Sequence, residues 1–158
     1  MWGKYCVCAN EFIFLTLDRS YTDSGHLGIL ISPVADCDLR IFLDRSATPY
    51  SCNLLRHFYG CLTKAVQYLH TNRIRHKDIK PQNILVKGMQ VLITDFGTAL
   101  DWSKDLGATT SGHPGPIAVN YIAPEVAERE DRNESSDIWS LGCVFIEMTV
   151  KSCGADVS

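Results

Sequence analysis

The chain has no apolar run approaching the ~18 residues that would suggest a membrane span; the longest, residues 12–17 and 27–31, are a third of that or less. No membrane crossing is expected. Positive charge is also short, with 15 Lys and Arg against 18 Asp and Glu and a formal charge of −3, so no broad positive field exists to hold nucleic acid or an anionic membrane. Polyanion binding is not expected. Low-complexity tracts, internal repeats, a G-x-G-x-x-G and a G-x-x-x-x-G-K-[ST] are all missing, and no cleavable leader is expected. Of 158 residues, 46% are hydrophobic and 21% charged, the composition of one soluble globular domain.

Cysteine is the one plentiful rare residue. The seven (Cys6, Cys8, Cys37, Cys52, Cys61, Cys143 and Cys153) are odd in number and scattered, which predicts reduced thiols in the cytosol or nucleus. Cys6-x-Cys8 has no second pair at ligand spacing, so two ordinary thiols are expected there.

Residues 12–17 and 27–31 are β-prone and separated by polar residues 18–26, which predicts a hairpin ended by Pro33. Residues 38–43 have room for one or two helical turns. Leu54, Leu55, Phe58, Cys61, Leu62, Ala65, Val66 and Leu69 then recur at helical spacing, predicting an amphipathic helix capped by Ser51 or Asn53. A small hairpin is expected from residues 84–86 and 91–93, with Gly88 at its turn. Residues 98–119, rich in Gly, Thr, Ser and Pro, predict a loop, and the charge run 128–134 a solvated one. Residues 136–148 read as a helix apolar nearly all round, suited to the centre of a domain.

Chemistry concentrates at the ends of the small hairpin. Before it stands His76-Lys77-Asp78-Ile79-Lys80-Pro81-Gln82-Asn83, and after it Asp95-Phe96-Gly97. Phosphoryl transfer asks a protein for an aligned nucleophile and for cations that neutralise phosphate charge. Asp78 supplies a carboxylate able to orient a hydroxyl and take its proton, and Lys80 a point charge for the phosphate. Asn83 and Asp95 supply hard oxygens suited to Mg²⁺. Any one of these alone would be an ordinary turn residue. Their joint register with His76, Pro81, Phe96 and Gly97 is what carries the reading.

These strings resemble the catalytic loop, H-x-D-x-x-x-x-N, and the D-F-G loop of eukaryotic-type protein kinases, with Lys77 in the usual arginine place. Ala123-Pro124-Glu125 resembles the A-P-E that closes the activation segment. The string 137–142 resembles the start of the central helix, whose Asp, here Asp137, anchors the catalytic-loop backbone in that family. Residues 31–34, followed by Asp38 and Leu39, resemble the hinge, and the string 32–39 is similar to hinges of filamentous-fungal kinase-like proteins. The resemblance implies ATP and Mg²⁺ as cofactors, adenine against Ile31, Ser32, Val34 and Leu85, and a protein substrate. Lys80, in K-P-x-N, implies the Ser/Thr type. It also implies an α+β, protein-kinase-like fold in one partial domain over 1–158: strands and hinge over about 12–34, then a mainly helical lobe over 35–158.

Departures from the family pattern set further expectations. Lys4 and Glu11 lack the context of the family's nucleotide-binding lysine and its glutamate partner, and the glycine-rich lid is missing. Ile138, Trp139, Leu141, Val144, Phe145, Ile146 and Met148 call for partners on later helices, and Glu125 lacks its late arginine. A product cut at both ends, marginally stable alone, is therefore expected. Lys77 offers a charge but no planar fork to a phosphorylated Thr109, Thr110 or Ser111. Ala118 stands near the place of the family's loop threonine, and His70 and His113 show no partner pattern. The alternative to catalysis is a kinase-like scaffold without turnover. A small-molecule phosphotransferase is disfavoured by residues 123–125 and 136–139, whose family counterparts accompany protein substrates. Oligomeric state is left open.

Overall fold

The structure, a computed structural model, describes residues 7–8, 11–12, 16–103, 119–128 and 133–154. Strands β1 (Val7–Cys8) and β2 (Glu11–Phe12) form a short antiparallel pair. β3 (Thr16–Asp23) and β4 (His26–Ser32) form the first long hairpin, with Pro33 following the last ladder residue. The polar stretch expected to connect its strands is itself strand. Leu17, Tyr21, Leu27 and Ile29 are all more than half exposed, so no buried face imposes apolar alternation, and the backbone ladder tolerates Asp18 to Asp23. The reversal falls at Ser24-Gly25, where Asp23 accepts the Ser24 N–H at 2.7 Å and Gly25 takes φ +95°.

β5 (Cys37–Asp38) leads into α1 (Leu39–Asp44), capped by Asp38, whose Oδ1 accepts the Ile41 N–H at 2.8 Å. The long helix α2 (Pro49–Thr71) buries Leu54, Leu55, Phe58, Cys61, Leu62, Ala65, Val66 and Leu69, the full predicted stripe. Its cap is Thr48, paired with Ser51 in a capping box and followed by Pro49 at the first helical position. The start thus lies three residues before the first expected cap, because proline's missing N–H and fixed φ suit that position.

β6 (Ile74–Arg75) precedes the catalytic-type loop; β7 (Ile84–Lys87) and β8 (Gln90–Ile93) then pair in the register Ile84 with Ile93 and Lys87 with Gln90. β5 adds to β7, giving a three-stranded antiparallel sheet, and β9 (Leu100–Asp101) returns to pair with β6. The segment expected as loop from residue 98 therefore contains a two-residue strand, too short to announce itself by periodicity. α3 (Pro124–Ala127) and α4 (Ser135–Ser152) complete the described chain.

Leu39 and Leu43 of α1, the α2 stripe from Leu54 to Val66, Ile84, Val86, Val91 and Ile93 of the sheet, and Leu141, Val144 and Met148 of α4 make one core. Each buried Leu, Ile or Val in it contributes roughly 1.5–3 kcal/mol relative to exposure. α4 is not buried all round. Ile138, Trp139 and Ile146 are 53%, 49% and 65% exposed, since α1 and α2 cover only the side bearing Leu141, Val144 and Met148. Among the described residues no helix is long and apolar enough to cross a membrane.

Candidate active site

The loop after β6 is built on two buried side chains. His76 is wholly buried, and its Nε2 lies 2.9 Å from the Thr94 carbonyl. A carbonyl only accepts, so Nε2 carries the hydrogen, and Nδ1 is left to accept the Asp78 N–H at 3.3 Å. The ring is therefore a neutral imidazole spanning both loops. Burial pushes its pKa below the usual histidine value, although the Thr94 bond and the Asp137, Asp78 and Asp95 charges pull the other way. The Phe96 ring packs on it nearly edge-on, with centroids 4.8 Å apart, and the Thr98 hydroxyl donates to the His76 carbonyl at 3.1 Å.

The second buried side chain is Asp137, at the start of α4 and 1% exposed. Its Oδ2 accepts the His76 N–H at 2.9 Å and its Oδ1 the Lys77 N–H at 2.8 Å. His70 Nε2, 3.0 Å away, donates to Oδ2 as well, so this histidine is a satisfied one with a defined partner. Lys77 sits at φ +70°, a left-handed conformation that disfavours a side chain by ~1–2 kcal/mol. The paired Asp137 oxygens hold it there, directly before Asp78.

Asp78 in turn is held at one oxygen. Lys80 Nζ donates to its Oδ2 at 2.6 Å and Asn83 Nδ2 to the same oxygen at 2.8 Å, while Nδ2 also reaches the Asp78 carbonyl at 2.9 Å. Pro81–Asn83 form a single 3₁₀ turn that brings Asn83 back to Asp78. With its nitrogen so committed, Asn83 has its amide Oδ1 as the side-chain oxygen that could meet a cation. Its backbone carbonyl accepts the Thr94 N–H at 3.0 Å, which sets the Asp95 loop beside the Asn83 loop. Asp95 is exposed, in a left-handed conformation at φ +61°, and its Oδ1 accepts the Gly97 N–H at 3.4 Å.

The structure thus joins Asp78, Lys80 and Asn83 through side chains, and Asp95 to them through the backbone. An amide oxygen and a carboxylate are hard donors that fit Mg²⁺, which keeps much of its shell for water and substrate phosphate. Among the described residues, no three His, Cys, Asp or Glu side chains form a metal cluster of their own. Ile31 and Ser32 end β4, Val34 is 81% exposed, and Leu85 lies in β7. The segment between them is laid on β7 by the Asp36 N–H donating to Val86 at 2.8 Å, and Asp36 Oδ2 accepts the Gly88 N–H at 2.7 Å. Lys4, Cys6, Thr109, Thr110, Ser111, His113 and Ala118 lie outside the described residues.

Sequence reasoning missed a cluster beside this loop. Arg40 of α1 donates to the Tyr121 hydroxyl at 2.8 Å and pairs with Glu147 of α4, and the Tyr121 hydroxyl donates to Glu147. Ser140 ties down the Tyr121 carbonyl at 2.7 Å. Burial, then the bond to Glu147 and its charge, pushes the Tyr121 phenol up to about 12. Glu147, a lone acid in an apolar stretch, was the available signal, since such a group is rarely buried without a partner.

An α+β domain whose loop carries a held carboxylate, an adjacent lysine and an amide-plus-carboxylate cation pair has the architecture of a protein kinase. The protein kinase domain family matches residues 9–154, and the chain belongs to that family, in its eukaryotic Ser/Thr branch. It is 34% identical to the serine/threonine-protein kinase PLK4 of Danio rerio over 134 residues, 83% of this chain and 14% of that protein. With cyclin-dependent kinase 4 of Bos taurus it shares 35% over 129 residues, 80% of this chain and 41% of that one. With the serine/threonine-protein kinase fused of Drosophila melanogaster it shares 40% over 93 residues, 58% and 11% respectively. The chain therefore spans less than half the length of each of these relatives.

Proposed function

We propose that this chain transfers a phosphoryl group from ATP to serine or threonine hydroxyls of protein substrates. The observation that carries this reading is the hydrogen-bonded set around Asp78. Two donors, Lys80 and Asn83, occupy Oδ2, so Oδ1 is the oxygen that accepts the substrate's hydroxyl proton. The two donors also fix the plane of the carboxylate, so a bound hydroxyl is oriented by a rigid acceptor. Lys80 keeps its ammonium within reach of both the base and the incoming phosphate. Asn83 Oδ1 and the Asp95 carboxylate would hold Mg²⁺, which when bound neutralises charge on the transferred phosphate. Ile31, Ser32, Val34 and Leu85 would receive the adenine, and residues 12–34 would serve as strands and hinge above the lobe formed by 35–158.

The Ser/Thr assignment rests on Lys80 and on the names of the relatives. Its test is transfer of labelled γ-phosphate to matched peptides that present Ser, Thr or Tyr at one position. Labelled Ser and Thr peptides with a bare Tyr peptide are the expected result. Labelling of Tyr alone would sink the assignment, and labelling of none would favour the scaffold reading.

A further inference from the structure

Beyond the loop residues themselves, the segment that follows Asp95 is stitched to the segment that precedes His76. Thr98 bonds the His76 carbonyl, Arg75 pairs with Leu100, Ile74 pairs with Asp101, and the Trp102 N–H donates to the Arg73 carbonyl at 3.0 Å. A ladder of two residues on each side is marginal by itself. Its open end is closed by a side-chain contact: the Arg73 guanidinium lies 5.7 Å from the centre of the Trp102 ring, over its face. Arg73 takes φ +57° to do so, a left-handed conformation that an arginine adopts only when its surroundings hold it.

We propose that Arg73 and Trp102 are positioning residues: their cation–π clasp sets how firmly the Asp95 loop is held against the catalytic-type loop, and hence how tightly Mg²⁺ is bound there. Neither residue touches the reacting atoms. The clasp acts at the far end of β6 and β9, and without it the ladder frays toward Thr98 and the Asp95 turn. This inference rests on the kinase reading for its effect on Mg²⁺, but not for its effect on the ladder.

Two readouts separate the claims, both on the 158-residue chain. Amide hydrogen exchange reports the ladder: Trp102→Ala should speed exchange at Leu100 and Trp102 about tenfold, whereas Trp102→Phe, which keeps a π face, should stay near the parent. A Mg²⁺ titration of phosphate transfer at saturating ATP reports the metal: Trp102→Ala should raise half-saturating Mg²⁺ about threefold to tenfold and recover the parent rate at high Mg²⁺. Arg73→Gly, which removes the cation and relieves the left-handed strain, should shift Mg²⁺ demand the same way while folding at least as readily. Parent-like exchange in both Trp102→Ala and Arg73→Gly overturns the clasp. Faster exchange with unchanged Mg²⁺ demand overturns its link to the metal. A parent chain that transfers no phosphate at any Mg²⁺ overturns the kinase reading and the metal link with it, and exchange still decides the clasp.

Discussion

Replacing Asp137 by alanine strikes the point on which the catalytic-type loop hangs. Its carboxylate accepts the His76 and Lys77 N–H groups at 2.9 and 2.8 Å and His70 Nε2 at 3.0 Å, with the side chain 1% exposed. Alanine offers none of these acceptors, and leaving a buried donor unsatisfied costs about 1–3 kcal/mol each. Two orphaned backbone donors alone give about 2–6 kcal/mol, a large part of the ~5–15 kcal/mol of a typical domain. Lys77 also loses what holds it at φ +70°. Asp137→Asn should be intermediate, because one acceptor remains and the amide nitrogen turns a donor toward a donor. Urea unfolding should show Asp137→Ala moved to lower midpoint by more than 1 M, taking ~4 kcal/mol and a slope of ~2 kcal/mol/M. Asp44→Ala, at an exposed carboxylate 3.8 Å from Arg40, should shift stability by no more than about 0.5 kcal/mol. A loss below about 1 kcal/mol for Asp137→Ala would refute the view that this carboxylate suspends the loop.

Other expectations follow from the same geometry. Because burial lowers the His76 pKa below its unfolded value, the unfolded chain binds a proton that the folded one refuses, so stability falls as pH drops below ~6.5. His76→Gln should flatten that slope in a pH series of urea melts, and an unchanged slope would remove His76 as its source. Phe58→Ala, at a fully buried centre of α2, should cost about 3–5 kcal/mol through cavity formation, read by the same melts. Tyr121→Phe removes the hydroxyl shared by Arg40 and Glu147 and should cost about 1–3 kcal/mol while leaving the far-UV spectrum unchanged; a neutral result would mark the cluster as ornamental to stability.

Helix α2 was legible residue by residue because its eight buried positions follow from one periodicity. The first strand of the long hairpin lies later than residues 12–17, since a polar stretch pairs there through backbone alone, while the second, expected at 27–31, falls within β4. In helix α4, hydropathy marks Ile138, Trp139 and Ile146 as apolar residues that call for partners, and their exposure beside buried Leu141, Val144 and Met148 agrees with that reading; which of the seven α1 and α2 would cover was not legible. In the site, Asp78, Lys80, Asn83 and Asp95 stood out because spacing and residue type converge on one chemistry. His70 and the Arg40, Tyr121 and Glu147 cluster did not, because their partners lie 67, 81 and 107 residues away in sequence, and no local pattern encodes such pairings. Arg73 and Trp102 were hidden in the same way, by a two-residue ladder below the reach of any periodicity.

The central claim is that Asp78 acts as the base of a phosphoryl-transfer site. Its most direct test compares the parent chain with Asp78→Asn in transfer of labelled γ-phosphate from MgATP to a Ser/Thr peptide, each protein quantified as folded by its urea melt. The account predicts transfer by the parent and a loss of about 10²–10⁴-fold in Asp78→Asn. Equal transfer by the two folded proteins would contradict it.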